Sequence, residues 1–196
     1  MAVRTLSSRV RDLVAFLLAA TAVLLLLLLV TYHPADPSVN SAGEGPIQNW
    51  VGVVGAILAD LLYQAVGWGA HLGVVAAIVF AVVMVRGIEL GGATSRAIGA
   101  TMGVVSICAL FELSLHEWDG PFLPGGLLGA AVGGAARKLL SYVGSAIVLI
   151  AVLVSALFLV LRLSPRELAV GTWRAIRRTA IAFGGFARGI RREISP

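Results

Sequence analysis

Residues 13–32, LVAFLLAATAVLLLLLLVTY, run for twenty positions without a charge, a proline or a glycine. A helix rises 1.5 Å per residue, so about twenty residues reach across the roughly 30 Å of hydrocarbon in a bilayer. Arg4, Arg9 and Arg11 precede the run, an order shared with secretory leaders. A leader, however, has an apolar core of about 7–15 residues and a small-residue cleavage site. This run is longer and ends in Tyr32-His33-Pro34 with no A-x-A site, so it reads as a retained span.

Working outward, three more windows have the same character: residues 68–85, 97–115 and 139–161. Only the third of the four spans carries an internal charge, Glu112, close to its end. The composition agrees. Of 196 residues, 59% are hydrophobic and 13% charged. A soluble domain carries about 25% charged residues to cover its surface, so a water-soluble globule is excluded. The expected fold is all-α: a polytopic helical bundle with four transmembrane helices. The lone cysteine, Cys108, permits no internal disulfide and sits in an apolar run, where packing is its expected role.

Charge sets the orientation. Fourteen of the 15 basic residues are Arg, clustered beside apolar runs rather than spread over a face that would read DNA. With the N-terminus inside, segments 1–12, 86–96 and 162–196 hold 13 basic residues and the outside segments hold only Arg137 and Lys138. Cytoplasmic loops carry such an excess, so both termini are predicted cytoplasmic. The chain then divides into a cytoplasmic N-terminus (1–12), a four-span membrane domain (13–163) and a cytoplasmic exit segment (164–196).

The outside segments have structure of their own. Residues 47–66 are apolar with a helical rhythm but carry Gln48, Asn49, Asp60 and Gln64. An amphipathic helix on the outer interface is expected, with Trp50 and Tyr63 at headgroup depth. Residues 120–136 are uncharged, rich in glycine and contain Pro121 and Pro124. Glycine weakens an isolated helix, and irregular backbone at membrane depth must be covered. A Gly-rich outer hairpin packed on the bundle is the expectation, with an exposed loop as the alternative. Small residues recur every four positions at Gly69, Gly73, Ala77 and Ala81, and at Gly99 and Gly103. Such stripes let spans approach closely, within the bundle first and between copies second.

After the fourth span, Ser164-Pro165-Arg166-Glu167 has the layout of a capped helix start. Trp173, Ile176, Ala180, Phe183, Ala187, Ile190 and Ile194 then recur three or four apart. Arg174, Arg177, Arg178, Arg188, Arg191 and Arg192 fall between them. This is a basic amphipathic tail helix, and each Arg near an anionic leaflet gains roughly 1 kcal/mol. The membrane surface is the expected partner. Self-association is the alternative, weakened by Gly184-Gly185, and DNA contact is a third.

Catalytic constellations are thin. His33, His71 and His116 have no Cys or paired acid at metal-ligand spacing and read as interfacial side chains. Nucleophile-elbow and zinc-protease patterns are absent, as is a G-x-x-x-x-G-K-[ST] phosphate loop, since Lys138 is flanked by Arg137 and Leu139. No catalytic, cofactor or metal site is expected. Glu112 is the one ionisable residue inside a span, and intramembrane acids are functional candidates by default. It lies near enough to the outer end to reach the interface.

At His33-Pro34-Ala35-Asp36-Pro37-Ser38, directly after the first span, the sequence resembles the N-terminal membrane domain of the FtsK/SpoIIIE family of bacterial DNA translocases, in which an HPxDPS-like stretch opens the first outside loop. Residues 49–52 (NWVG) and 55–61 (GAILADL) resemble the family's next block, and the four-span layout matches. The resemblance covers about Leu13 to Leu163. It implies a membrane domain that anchors a hexameric ATP-driven DNA pump at the septum and helps assemble the division machinery. The linker and the motor are absent from these residues, so this is the membrane module of a longer protein or a stand-alone version. ATP, Mg and DNA then belong to the motor.

The resulting expectation is an inner-membrane module, enriched at the septum, that anchors, oligomerises and recruits. His33, Pro34, Asp36, Pro37 and Ser38, with Trp50, Asp60 and Tyr63, are the candidate contacts for other division proteins. Gly69, Gly73, Ala77, Gly99 and Gly103 are the candidate packing positions. The rival is a small transporter or channel subunit, drawn from Glu112, Asp60 and the Gly-rich segment, because broken segments line substrate sites in transporters. It lacks an internal repeat and a second buried charge.

Overall fold

A computed structural model describes residues 8–38, 43, 45–87, 92–115 and 117–161. The amphipathic tail with Arg174, Arg177, Arg178, Arg188, Arg191 and Arg192 lies outside the described residues, as does His116. Five α-helices follow in order: α1 (Ser8–Val30), α2 (Gly52–Val66), α3 (His71–Val85), α4 (Ala93–Ser114) and α5 (Gly126–Leu161), with a 3-10 turn, Gly67–Ala70, between α2 and α3. Four helical stretches are long and apolar enough to cross a membrane: Arg9–Val30, Gly52–Val85, Ala93–Ser114 and Gly126–Leu161. The chain is thus a multi-pass helical membrane protein.

The helices are organised as two pairs. α1 packs along α3, α4 packs along α5, and α2 and the 3-10 turn join the pairs. Among the described residues the fully buried positions are small: Ala59, Cys108, Ala109, Ser106 and Ser145. Large apolar side chains such as Phe16 (70% exposed) and Val30 (68%) point outward. Lipid tails are as apolar as leucine, so burial of large side chains gives no drive and close backbone packing does. Hydroxyls within the helices bond back one turn, as Thr21 Oγ1 does to the Leu17 carbonyl at 2.8 Å and Thr101 Oγ1 to that of Ala97 at 3.0 Å. This satisfies them without water.

The small-residue stripe divides between uses. Gly99 lies against Ala156, Leu159 and Val160 of α5, and Gly103 against Ala156, so this part packs α4 on α5. Gly69 faces the Cys108 sulfur. Gly73 is exposed and meets nothing, and Ala77 is half-buried.

Two elements differ in form from the sequence-based expectation. The segment 47–66 is helical from Gly52, but the helix runs on through the 3-10 turn into α3, interrupted only at Gly67 (φ 57°, ψ −136°). The end of the bundle at which α1 finishes is called its outer end below, and α2 lies against it. The Gly-rich segment is regular helix from Gly126, because Gly129 and Gly133 are set against the Cys108 and Ala109 backbone, so α4 covers what lipid would otherwise expose. A hairpin does form, and it is larger than expected. An unbroken helix would put the 17 residues from Val132 to Leu149 about 26 Å apart. Yet both pack in one cluster with Ala109 and Leu113, so the chain folds back, at the non-helical Ser141 (φ 61°, ψ 179°). The fourth span is the returning limb.

The outer cap as a candidate functional site

α1 ends in a run of leucines, and a helix leaves its last four carbonyls without intrahelical partners. Here Thr31 and the chain that returns after the loop supply partners to three of them. Asn49 Nδ2 donates to the Leu28 carbonyl at 2.9 Å, Tyr63 Oη to the Leu29 carbonyl at 3.0 Å, and Thr31 Oγ1 to the Leu27 carbonyl at 2.6 Å. The Trp50 amide in turn donates to Thr31 Oγ1 at 3.1 Å. Leu28, Leu29, Ala59, Tyr63, Ala70 and Val74 close an apolar cluster around these bonds.

The proline-flanked loop is fixed from within. Asp36 is 4% exposed, and its two carboxylate oxygens accept the backbone N–H groups of Gln48 and Asn49, each at 2.8 Å. His33 Nδ1 lies 3.2 Å from Gln48 Nε2 and 3.3 Å from the Ala35 amide nitrogen. Asp60 is also buried: Tyr32 Oη donates to Oδ1 at 3.1 Å and Gln64 Nε2 to Oδ2 at 2.6 Å. Burial, and then the bond to Asp60 and its charge, push the Tyr32 hydroxyl up to about 12.

The second outer segment docks on the same framework. Phe122 stacks on Tyr63 with ring centroids 4.2 Å apart, Trp68 stacks on His71 at 5.6 Å, and Trp118 meets Trp68 edge-on at 5.8 Å. The Trp68 amide donates to the Pro124 carbonyl at 2.9 Å. Gly67 and Gly126 adopt positive φ where these chains touch, and a Cβ on either would overlap the other's backbone. The Gly125 amide donates to Glu112 Oε2 at 3.3 Å, and Cys108 Sγ to the Val66 carbonyl at 3.3 Å. Glu112 therefore holds the start of the α5 segment against α4.

The candidate contact residues thus separate into two groups. Asp36, Asp60 and Tyr63 are buried in the cap. Pro34 and Trp50 are exposed, Trp50 at 78%, while His33, Pro37 and Ser38 are half-buried. The outward side of α2 is apolar. Its polar residues Asp60 and Gln64 bond inside the cap, and Val53, Val54, Leu58 and Leu61 are exposed. Thr31, Tyr32 and Phe122, which sequence reasoning did not single out, make much of the framework together with Asn49, which it noted only as a polar residue of segment 47–66 and of the NWVG block. No group of His, Cys, Asp or Glu among the described residues has a metal-binding arrangement.

This geometry coincides with a known family's extent. The model of the 4TM region of DNA translocase FtsK/SpoIIIE matches residues 7–173. A protein named DNA translocase FtsK from Azospirillum brasilense is 32% identical over 203 residues, covering 96% of this chain and 30% of that protein. DNA translocase FtsK 1 of Neisseria meningitidis serogroup B is 29% identical, covering 86% of this chain and 22% of its own length. DNA translocase FtsK of Pseudomonas syringae pv. syringae is 30% identical over 71% of this chain and 18% of its own. The chain therefore spans less than a third of these relatives. No solved structure matches it. With the match reaching from the start of α1 past the end of α5, the chain belongs to the FtsK/SpoIIIE family through that family's four-span membrane region.

Proposed function

We propose that this chain is the membrane anchor of a septal DNA translocase, serving cell division and chromosome partition, and that its outer cap is the surface through which other division proteins recruit it. In this reading it sits in the bacterial inner membrane with both termini cytoplasmic. Copies associate, as a hexamer by analogy with the family, and DNA, ATP and Mg are handled by a motor outside these residues. The observation that carries the recruitment role is the contrast within the cap: a framework fixed by Asp36, Asn49 and Tyr63 presents Trp50 at 78% exposure. Exposed tryptophan on a rigid support is the kind of residue that dominates protein contacts.

The test is a fluorescent protein fused after Pro196 and imaged in growing bacteria. A bright midcell band, lost to even envelope fluorescence in Trp50→Ala with membrane insertion intact, is the expected result. Midcell fluorescence unchanged by Trp50→Ala removes the recruitment role from this face. A stably made but dark fusion removes the cytoplasmic C-terminus.

A further inference from the structure

Where α1 faces α3 it presents Ala15, Ala19 and Ala22, and between the two helices there is an open groove. About 660 Å³ is lined by Asp12, Phe16, Ala19, Ala81, Val82 and Arg86 among others, and about 260 Å³ continues from Ala19, Ala81 and Val82 toward Leu26 and Ile78. The walls are almost wholly apolar, and among the described residues the charges lining it are at the larger end, Asp12 from α1 and Arg86 just after α3. Among the described residues these two opposite charges line one mouth without forming an ion pair. Arg11 lies against Gly87 beside them, and its buried Nε has no acceptor.

We infer that this groove holds a phospholipid with a primary-ammonium headgroup, its phosphate on Arg86 and Arg11, its ammonium on Asp12, and an acyl chain between α1 and α3. Three observations select this occupant. An apolar gap within hydrocarbon loses dispersion contacts unless something fills it. The groove is in two parts, about 660 Å³ at the charged end and about 260 Å³ of apolar-lined space beyond it, which suits a headgroup followed by a flexible chain. The mouth presents both signs of charge in unpaired form, which matches a zwitterion that donates and accepts, and not a purely anionic headgroup. The inference does not depend on the recruitment role of the outer cap, which lies at the other end of the bundle.

The experiment is native mass spectrometry of the purified chain in detergent, titrated with phosphatidylethanolamine, phosphatidylcholine and phosphatidylglycerol of identical acyl chains. Ethanolamine lipid is expected to be retained roughly fivefold more than choline lipid, the worth of one partly exposed ion pair. Asp12→Asn should erase that difference, Arg86→Gln should weaken both, and Ala19→Phe should expel lipid with helicity unchanged. Equal retention of ethanolamine and choline lipid in the unaltered chain overturns the inference. So does tightest binding of phosphatidylglycerol, which would indicate simple attraction to the arginines. Cross-linking between copies through Ala19→Cys would assign the groove to a second copy and overturn it as well.

Discussion

The carboxylate of Asp36 reaches thirteen residues along the chain to accept the buried backbone N–H of Asn49 at 2.8 Å, while its other oxygen accepts that of Gln48. Asn49 is thereby held with its amide on the Leu28 carbonyl at the end of α1. The loop motif is the peg that sets how the chain re-enters the bundle. Asp36→Ala leaves two donors without an acceptor, at about 1–3 kcal/mol for a buried one. The expected destabilisation is about 2–4 kcal/mol, with Asp36→Asn near half of it, read as thermal unfolding in detergent and as new protease cleavage within residues 33–38. A Tyr63→Phe variant removes one of two donors to the Leu29 carbonyl, leaving the Tyr32 amide at 3.3 Å, and should cost about 0.5–1.5 kcal/mol without opening the loop.

Tyr32 gives the cap a pH dependence. Its hydroxyl is pushed up to about 12 from an ordinary 10.0, chiefly by burial and then by Asp60. An acid raised in the folded state keeps its proton where the unfolded chain loses it, so the folded state binds more protons between these values. The contribution is fully present below pH 10 and falls as pH rises toward about 12. Thermal unfolding in detergent should drop across that window, and Tyr32→Phe should flatten the drop. An equal decline in Tyr32→Phe would assign the effect to other groups.

The four spans were legible because an apolar run of membrane length has few other uses, and residues 13–32 and 139–161 needed nothing more. The facing of α2 was not. Its polar residues mark one side, but periodicity does not say whether that side meets water or the carbonyls at the end of α1, and Asp60 and Gln64 turn inward. Asp36 read as a contact residue because turn-forming acids usually lie at the surface. Its burial depends on the amides of Gln48 and Asn49, which carry no side-chain signature. The glycines at 129 and 133 read as helix-weakening because composition does not reveal that the backbone of Cys108 and Ala109 would cover them.

The fold-back at Ser141 was invisible for a related reason: a serine amid apolar residues gives no turn signal. Its φ of 61° with ψ of 179° is a region that glycine alone enters easily, at about 1–3 kcal/mol for other residues. The Ser145 hydroxyl donates to the Ser141 carbonyl at 2.5 Å and fixes the corner. Ser141→Gly relieves the strain and should stabilise the chain by about 1 kcal/mol after the added freedom of the unfolded glycine is subtracted. Ser141→Val should destabilise by a comparable or larger amount. Thermal unfolding of the two variants in the same detergent checks this, and equal stability would mean that the corner is unstrained.

Glu112 separates an anchor from a conduit. Its carboxylate accepts the Gly125 amide at 3.3 Å at the place where the Pro124 carbonyl meets Trp68, so it ties the tip of the α5 segment to α4. A tie of this kind needs an acceptor and no proton. Glutamine supplies one in the same position, so Glu112→Gln should unfold within about 0.5 kcal/mol of the unaltered chain, whereas Glu112→Ala should lose about 1 kcal/mol, the net worth of a single hydrogen bond. A proton or ion path would lose its flux equally in both variants, since glutamine removes the charge as completely as alanine does. Proton flux into liposomes, if present in the unaltered chain and abolished in Glu112→Gln, would overturn the tie and restore the transporter reading. Intact stability in Glu112→Gln, with no flux in either form, keeps Glu112 as a strut of the anchor.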